Sequence, residues 1–168
     1  MGNQYESPRT LPVMGFLRFY MVNKITHLHT GKIGELIGKA KFIEYGFDVY
    51  STEVDDKGID FIVCNKRREY FEIQVKTTNK NYMFMKKEVF VPKDNLYLLL
   101  VILDNDKLPM FSLIPSLEWT KLDRPNFLKD RLFENLKSKP EYGILINDKY
   151  IPLIKEKYSF EKMIGKLF

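Results

Sequence analysis

The segment "NLYLLLVILD", residues 95–104, is the feature that most constrains how this chain can fold. Its apolar residues follow one another without the polar alternation of a strand that has one solvated face. Such a run is typical of a central β-strand that is covered on both faces. The sequence therefore predicts a β-sheet with other elements packed on it, and "MFSLIP", residues 110–115, is predicted to pair with this strand across "NDKLP".

A helix is predicted from Thr30 to Tyr45, with Thr30 as its N-cap and Gly46 as its stop. Apolar residues at helical spacing form its stripe: Ile33, Leu36, Ile37, Ala40 and Ile43. Three glycines lie off this stripe, on the side that carries Glu35: Gly31, Gly34 and Gly38. Glycine inside a helix costs roughly 1 kcal/mol relative to alanine. We therefore expect compensation on this face, either from very close packing on a neighbouring element or from a substrate backbone that lies beside Glu35.

Shorter elements are predicted for the rest of the chain. Strands are expected at residues 47–50, in "IDFIVCN" (59–65) and in "EYFEIQVKTT" (69–78), separated by the acidic loop "STEVDDKG" and the basic turn "KRR". The segment "RPNFLKDRLFENLKSKP" is predicted to be an amphipathic helix, with these residues inward: Phe127, Leu128, Leu132 and Leu136. The segment "YGILINDKYIPLI" is predicted to be a hairpin that turns near Asn147 and Asp148, and a short amphipathic helix closes the chain.

Length and composition indicate one globular domain. The chain has 168 residues, of which 45% are hydrophobic, so it is long enough to bury a sizeable core. We expect an N-terminal extension over residues 1–29 and a single domain over residues 30–168. Cys64 is the only cysteine, which excludes an internal disulfide and favours a cytoplasmic protein. The early apolar segment "LPVMGFLRFYMV" is too short to span a bilayer and contains Arg18, so no membrane span or secretion signal is predicted.

The charge balance suits a polyanionic partner. The chain has 27 Lys and Arg residues against 22 Asp and Glu residues, which leaves a net charge of +5. The segment "NKNYMFMKKEVFVPKDN", residues 79–95, interleaves lysines with aromatic residues in a pattern compatible with phosphate contacts and base stacking. The same pattern also fits an ordinary solvated loop or hairpin. The residues in it that we expect to contact nucleic acid are Lys80, Tyr82, Lys86 and Lys87, with Phe84 and Lys93 as neighbours.

The strand "FEIQVKTT", residues 71–78, combines an apolar face with a polar one. Successive side chains of a strand point to opposite faces, so Glu72, Gln74 and Lys76 share the face opposite Phe71, Ile73 and Val75. A solvated strand face is the simplest explanation of a carboxylate, an amide and an ammonium in a row, and the rest of the chain must decide whether they form a site.

A hairpin across "KRR" would bring Asp60 beside this polar face. If Asn65 lies opposite Glu69, the constant sum of partner numbers in an antiparallel pair puts Asp60 opposite Gln74 and Ile62 opposite Glu72. A slip of the register by one residue would move Asp60 and Gln74 to opposite faces.

In this register Asp60 and Gln74 are close enough to share one metal ion, and Lys76 lies one position further along the same face. Their hard oxygens suit Mg²⁺, with Mn²⁺ as a substitute, and Mg²⁺ pairs naturally with a phosphate oxygen. Lys76 would orient or deprotonate an attacking water and offset the charge of the transition state. Glu35, on the preceding helix, would hold a water on the metal.

At these residues the sequence resembles the PD-(D/E)XK nuclease superfamily. The resemblance rests on "GKIGELIGKAKFIEYGFDVY", "GIDFIV" and "FEIQVKTT", which cover residues 31–78. It is closer to the Gln-x-Lys branch, which includes intron-homing endonucleases and relatives of archaeal Holliday-junction resolvases. The resemblance implies an α/β fold with a restriction-endonuclease-like core, in which helices flank a central mixed β-sheet.

The resemblance also implies roles for individual residues. Glu35 matches the helix glutamate, Asp60 the metal-binding aspartate, Gln74 the variable acidic position and Lys76 the lysine. Gln74 departs from the commoner pattern because it is neutral, although its amide oxygen can coordinate a cation and the Val75 carbonyl could add to it. Glu72, on the same strand face, stays a secondary candidate for the metal-side ligand.

Two functions are therefore compared. The first is a magnesium-dependent endonuclease that cuts DNA phosphodiester bonds, on branched or site-specific DNA, and acts as a homodimer because cuts in two strands require two sites. The alternative is a catalytically silent module of the same fold that binds nucleic acid or a protein partner. A silent version would be expected to lose the lysine or the aspartate, and this chain has both, so the sequence favours the nuclease.

Overall fold

The computed structural model describes residues 26–51, 58–104, 107–132 and 138–168. Most of the predicted N-terminal extension, most of the acidic loop and Leu136 lie outside these ranges. Two longer helices, two 3-10 turns and a short helix accompany eight strands in the described residues. In chain order they are α1 His27–Glu44, β1 Asp48–Ser51, β2 Phe61–Cys64, β3 Tyr70–Thr78, β4 Tyr82–Lys86, β5 Leu96–Ile102, β6 Met110–Pro115, a 3-10 helix Ser116–Thr120, β7 Leu128–Arg131, β8 Glu141–Leu145, α2 Ile151–Tyr158, α3 Phe160–Ile164 and a 3-10 helix Gly165–Leu167.

A mixed five-stranded sheet forms the centre, with the strand order β1-β2-β3-β5-β6. All neighbours in it are antiparallel except β3 and β5, which run parallel. The predicted central strand is β5, and its residues 98–101 are fully buried. Its predicted pairing with β6 is confirmed. The α/β architecture predicted from the sequence, a mixed sheet flanked by helices, is therefore confirmed.

Helix α1 packs on the sheet through its glycines. A Cβ atom added to Gly34 would lie 1.6 Å from Thr77 Oγ1, and one added to Gly38 would lie 2.5 Å from Leu99 Cδ2. The backbone of α1 therefore approaches β3 and β5 more closely than any other residue type would allow. Of the two explanations for the glycine face, close packing is the one that the structure shows.

The predicted apolar stripe of α1 is partly wrong, because Ile37 packs against the core but Leu36 and Ile43 do not. Leu36 and Ile43 are 55% and 60% exposed, and the buried residues of the helix are Gly34, Gly38 and Phe42. Close approach of the backbone, rather than side-chain hydrophobicity, selects the face that is buried. The helix also begins three residues earlier than predicted, because Thr26, and not Thr30, is the N-cap. Gly46 ends the helical segment with a φ of 82°, as expected of a glycine stop.

A second, three-stranded antiparallel sheet has the order β4-β8-β7. It corrects two predictions. Residues 128–131 form strand β7 rather than part of an amphipathic helix, and Leu132 is 57% exposed. Residues 151–158 form helix α2 rather than the second strand of a hairpin, so that β8 pairs instead with β4 and β7.

The two sheets are joined through aromatic packing. The 3-10 helix of residues 116–120 contacts both β5 and β7, and its Trp119 donates a hydrogen bond to the Gly143 carbonyl at 3.2 Å. The ring of Phe90 packs edge-on against Trp119 and against Tyr142. A single hydrophobic core therefore runs through both sheets. Within the described ranges no helix is long and apolar enough to cross a membrane.

Candidate active site

The hairpin of β2 and β3 has the register predicted from the sequence. Ile62 pairs with Glu72 and Phe61 with Ile73, and the Asn65 N–H donates to the Glu69 carbonyl at 3.1 Å. Regular pairing ends at Phe61. Arg68 closes the turn with a positive φ of 66°.

Asp60 directly precedes β2, at the end of its pairing with β3, and its carboxylate is hydrogen-bonded to the β3 backbone. Its N–H donates to the Ile73 carbonyl at 2.9 Å, and its Oδ2 accepts a hydrogen bond from the Val75 N–H at 2.6 Å. A hydrogen bond to an ionised acceptor is among the stronger ones in proteins. The carboxylate is therefore held against the backbone between Gln74 and Lys76.

Gln74 is almost completely buried, at 5% exposure. Its Oε1 accepts no hydrogen bond from any residue that the structure describes. Its Nε2 lies close to Gly58, since a Cβ added to that glycine would be 2.9 Å from it. A buried acceptor without a donor costs about 1–3 kcal/mol, so this oxygen is a position where a ligand would be stabilising.

Glu72 has a different environment from Gln74, although both share one face of β3. Its Oε2 lies 2.6 Å from Lys93 Nζ, and its side chain is 19% exposed. Lys93 neutralises this carboxylate, and the pair lies further from Asp60 along the strand than Gln74 does.

Glu35 lies on α1 next to Gly34, the residue that brings the helix against Thr77 of β3. Its Oε2 accepts a hydrogen bond from Lys32 Nζ at 2.6 Å. This bond and the charge of Glu35 raise the pKa of Lys32, and the charge of Asp60 contributes further. The ammonium of Lys32 therefore lies within electrostatic range of both carboxylates. Sequence reasoning missed Lys32, whose only signal is its i, i+3 spacing from Glu35.

Lys76 is half-buried on β3, where it pairs with Leu100 of the parallel strand β5. By alternation along the strand it lies on the same face as Gln74 and Glu72. The structure thus joins the Asp60 carboxylate to the β3 backbone between Gln74 and Lys76, and Lys32 lies within electrostatic range of both Glu35 and Asp60. Helix α1 packs on Thr77, whose side chain alternates to the face of β3 opposite Lys76.

The oxygen atoms at this site are of the kind that bind a hard cation which keeps several of its coordinated waters. Among the described residues no three His, Cys, Asp or Glu side chains form a metal cluster. A cation here would depend on the carboxylate of Asp60, the unpartnered amide oxygen of Gln74, backbone oxygen and water. Mg²⁺ is commonly bound in this way, since it keeps several waters and takes one or two carboxylates.

The four predicted nucleic-acid contacts have unlike surroundings. Lys80 and Lys86 are exposed, in the turn after β3 and at the end of β4. Tyr82 donates to Glu141 Oε1 at 2.6 Å, and burial together with this bond raises the pKa of Tyr82 to about 12. Lys87 forms an ion pair with Asp130. Tyr82 and Lys87 thus have intramolecular partners, whereas the surroundings of Lys80 and Lys86 leave them accessible to a polyanion.

Two solved nuclease structures share this fold. One is the Holliday junction resolvase Hjc from the archaeal hyperthermophile Archaeoglobus fulgidus, with a TM-score of 0.52 and 14% identity over 82% of this chain and 98% of that chain. The other is the bacterial homing endonuclease I-Ssp6803I, with a TM-score of 0.50 and 13% identity over 84% of this chain and 92% of that chain. No protein-family model and no curated protein matches the sequence. At these identities the likeness establishes the fold, and the restriction-endonuclease-like core predicted from the sequence is confirmed.

Proposed function

We propose that this protein is a divalent-metal-dependent endonuclease of the PD-(D/E)XK type that hydrolyses phosphodiester bonds of DNA, on branched or site-specific substrates. The observation that carries the proposal is the 2.6 Å hydrogen bond from the Val75 N–H to Asp60 Oδ2. It joins an aspartate to the Gln-x-Lys segment of the neighbouring strand, in a fold that is shared with two nucleases.

Asp60, Gln74 Oε1 and the Val75 carbonyl are the groups that would hold the cation, Mg²⁺ or Mn²⁺. When bound, the ion supplies Lewis-acid polarisation of the phosphate and lowers the pKa of an attacking water. Gln74 contributes an oxygen without a charge, so Asp60 provides the main electrostatic attraction at this end of the hairpin.

Lys76 acts on the nucleophile and on the phosphate. Its ammonium donates hydrogen bonds that orient the attacking water, and it offsets the negative charge that develops on the phosphate oxygens. As the oxygen of water bonds to phosphorus and gives up a proton to the solvent, the bond from phosphorus to one deoxyribose oxygen breaks, and that leaving oxygen takes a proton from the solvent. The half-buried position of Lys76 strengthens its electrostatic effect relative to an exposed lysine.

Glu35 accepts hydrogen bonds from water beside Asp60. Lys32 holds one of its carboxylate oxygens at 2.6 Å and limits the repulsion between the carboxylates of Glu35 and Asp60. Lys80 and Lys86 supply phosphate contacts outside the reacting centre, where exposed ammonium groups bind the DNA backbone without reading its sequence.

The test is incubation of the purified protein with labelled duplex, branched and single-stranded DNA, in Mg²⁺ and in EDTA. We expect cleavage of at least one substrate in Mg²⁺ and none in EDTA. Asp60→Asn should remove cleavage and leave the fold and most DNA binding intact, because the amide keeps an oxygen that can accept the Val75 N–H.

Asp48→Asn is the matched control for Asp60→Asn. Asp48 is exposed on β1, so the same loss of charge there should leave the cleavage rate unchanged. Cleavage by Asp60→Asn at the wild-type rate would contradict the proposal. DNA binding without cleavage of any substrate would support the silent module instead.

A further inference from the structure

A cavity of about 340 Å³ adjoins the candidate active site. Its apolar walls include Ile59, Val89, Phe90 and Leu96, and its polar residues include Glu72, Gln74 and Lys93. Gln74 therefore belongs both to the cavity and to the candidate active site, and it separates them. The volume and the apolar walls are those of a pocket for a small planar group.

The polar side of the cavity has a defined donor and acceptor pattern. The carboxylate of Glu72 is an acceptor, and its buried Oε2 is in an ion pair with Lys93. Lys93 Nζ, 2.6 Å away, is a donor at the cavity mouth. The backbone of Lys93 is held in place by Ser116, which accepts its N–H at 2.9 Å and donates to its carbonyl at 2.8 Å.

We propose that this cavity binds the base of an unpaired guanine in a DNA strand, with Glu72 and Lys93 on its Watson–Crick edge. That edge presents the N1–H and the N2 amino group as neighbouring donors, and O6 as an acceptor beside them. The two donors match the Glu72 carboxylate, and O6 matches the Lys93 ammonium.

The other bases fit this pattern less well. Adenine, cytosine and thymine each present an acceptor or a single donor where guanine presents two adjacent donors to a carboxylate. A buried polar site discriminates strongly against a ligand that leaves its groups unpaired. The apolar walls would pack on the faces of the base, as in enzymes that take a base out of the stack. A paired guanine has its Watson–Crick edge occupied, so the pocket selects an unpaired one.

This inference rests on the proposed nuclease function for its substrate, DNA, and it specifies how that substrate is selected. Gln74 is one residue from Val75, whose N–H is bonded to Asp60. A guanine in the cavity would therefore place its own or a neighbouring phosphate near the reacting centre.

The experiment measures binding in EDTA by fluorescence anisotropy, using a labelled duplex with one bulged nucleotide. The bulge is guanine, inosine, adenine, thymine or an abasic site. We expect guanine to bind about tenfold more tightly than the abasic site, the range of one good bidentate base contact. Inosine, which lacks the N2 amino group, should bind with intermediate affinity. Equal affinity for all five would overturn the proposal and would mean that only water fills the cavity.

Two variants and one control assign the effect to the cavity. Glu72→Gln and Lys93→Met should each remove the preference for guanine over the abasic site, a ratio that a general loss of phosphate contacts does not change. Glu88→Gln is the control, because Glu88 also lines the cavity but is paired with Lys139 at 2.9 Å. It should keep the preference. Loss of the preference in Glu88→Gln alone would contradict the assignment to Glu72 and Lys93.

A competition arm separates a base in a strand from a free nucleotide. If free deoxyguanosine monophosphate displaced the labelled duplex at the concentration of the unlabelled duplex, the cavity would be a nucleotide site and the proposal would be wrong.

The guanine pocket and the nuclease function can be contradicted separately. Cleavage in Mg²⁺ without any guanine preference would overturn the pocket alone, whereas guanine preference without cleavage would overturn the nuclease alone.

Discussion

Gln74 and Glu72 are two positions apart on one face of β3, yet they have different partners. Gln74 Oε1 is buried and accepts no hydrogen bond from the described residues, whereas Glu72 lies 2.6 Å from Lys93. Glu72 pairs across the hairpin with Ile62, one pair away from the end where Asp60 stands. These surroundings favour Gln74 over Glu72 as the metal-side ligand.

Substitutions at these two positions should separate metal binding from the rest of the chemistry. Gln74→Glu adds a carboxylate beside Asp60 and should retain cleavage while lowering the Mg²⁺ concentration that is needed. On a substrate without an unpaired guanine, Glu72→Gln should leave the Mg²⁺ requirement and the cleavage rate nearly unchanged. A Mg²⁺ titration of cleavage measures both effects. The opposite outcome, in which Glu72→Gln abolishes cutting and Gln74→Glu changes nothing, would identify Glu72 as the ligand.

Lys76 is the residue whose loss should slow the reaction without loss of metal. Lys76→Ala removes the group that orients the nucleophile, and a positioned proton-transfer or hydrogen-bonding group typically contributes roughly 10²–10⁴-fold. Cleavage should fall by about this factor, while Mg²⁺ affinity measured by calorimetry stays near that of the wild type. If calorimetry showed metal affinity as weak as in Asp60→Asn, the separate role of Lys76 would be wrong.

At the scale of elements, the placement of Glu35 depends on how closely α1 approaches the sheet. Gly34 has no room for a Cβ because Thr77 Oγ1 occupies that space, and Gly38 is similarly close to Leu99. Gly31, on the first half of the same helix, has nothing within 4 Å of its Cβ position. The helix thus offers a crowded and an open glycine for comparison.

Gly34→Ala should destabilise the fold by about 1–3 kcal/mol, the usual cost of overpacking, and should lower cleavage because it moves Glu35 away from Asp60. Gly31→Ala is the control and should stabilise the protein by up to about 1 kcal/mol, through helix propensity alone. Urea unfolding measures both changes. The cost of Gly34→Ala should shrink in a Thr77→Ala background, and an equal cost in both backgrounds would contradict the contact.

At the scale of the whole molecule, one chain carries one Asp60 site. Cleavage of both strands of a duplex needs two such sites, and a two-fold dimer is the simplest assembly that supplies them. We therefore expect sedimentation velocity to give the mass of two chains plus the duplex when duplex DNA is bound. A protein that stays monomeric on DNA and still cuts both strands at once would contradict this expectation.

The sequence by itself determined the hairpin and the central strand. The three-residue turn "KRR" and the period-two alternation of β3 are both satisfied by the register in which Asn65 lies opposite Glu69, and that register is the observed one. Strand β5 was predictable because its uniform apolarity allows only a position with cover on both faces. Both features depend on neighbours in sequence or on composition alone.

Only the tertiary structure decided which face of α1 is buried, how residues 124–132 and 138–158 fold and what surrounds the polar face of β3. The apolar residues of the helix predicted one buried face. The close contact of Gly34 with Thr77 instead turns another face to the sheet and leaves Leu36 and Ile43 exposed. Residues 128–131 became a strand because β8 was available to pair with them, and β8 in turn pairs with β4, more than fifty residues earlier. The contact of Lys93 with Glu72 likewise joins segments that no local pattern connects, because the chain meets itself there only after the sheet has formed.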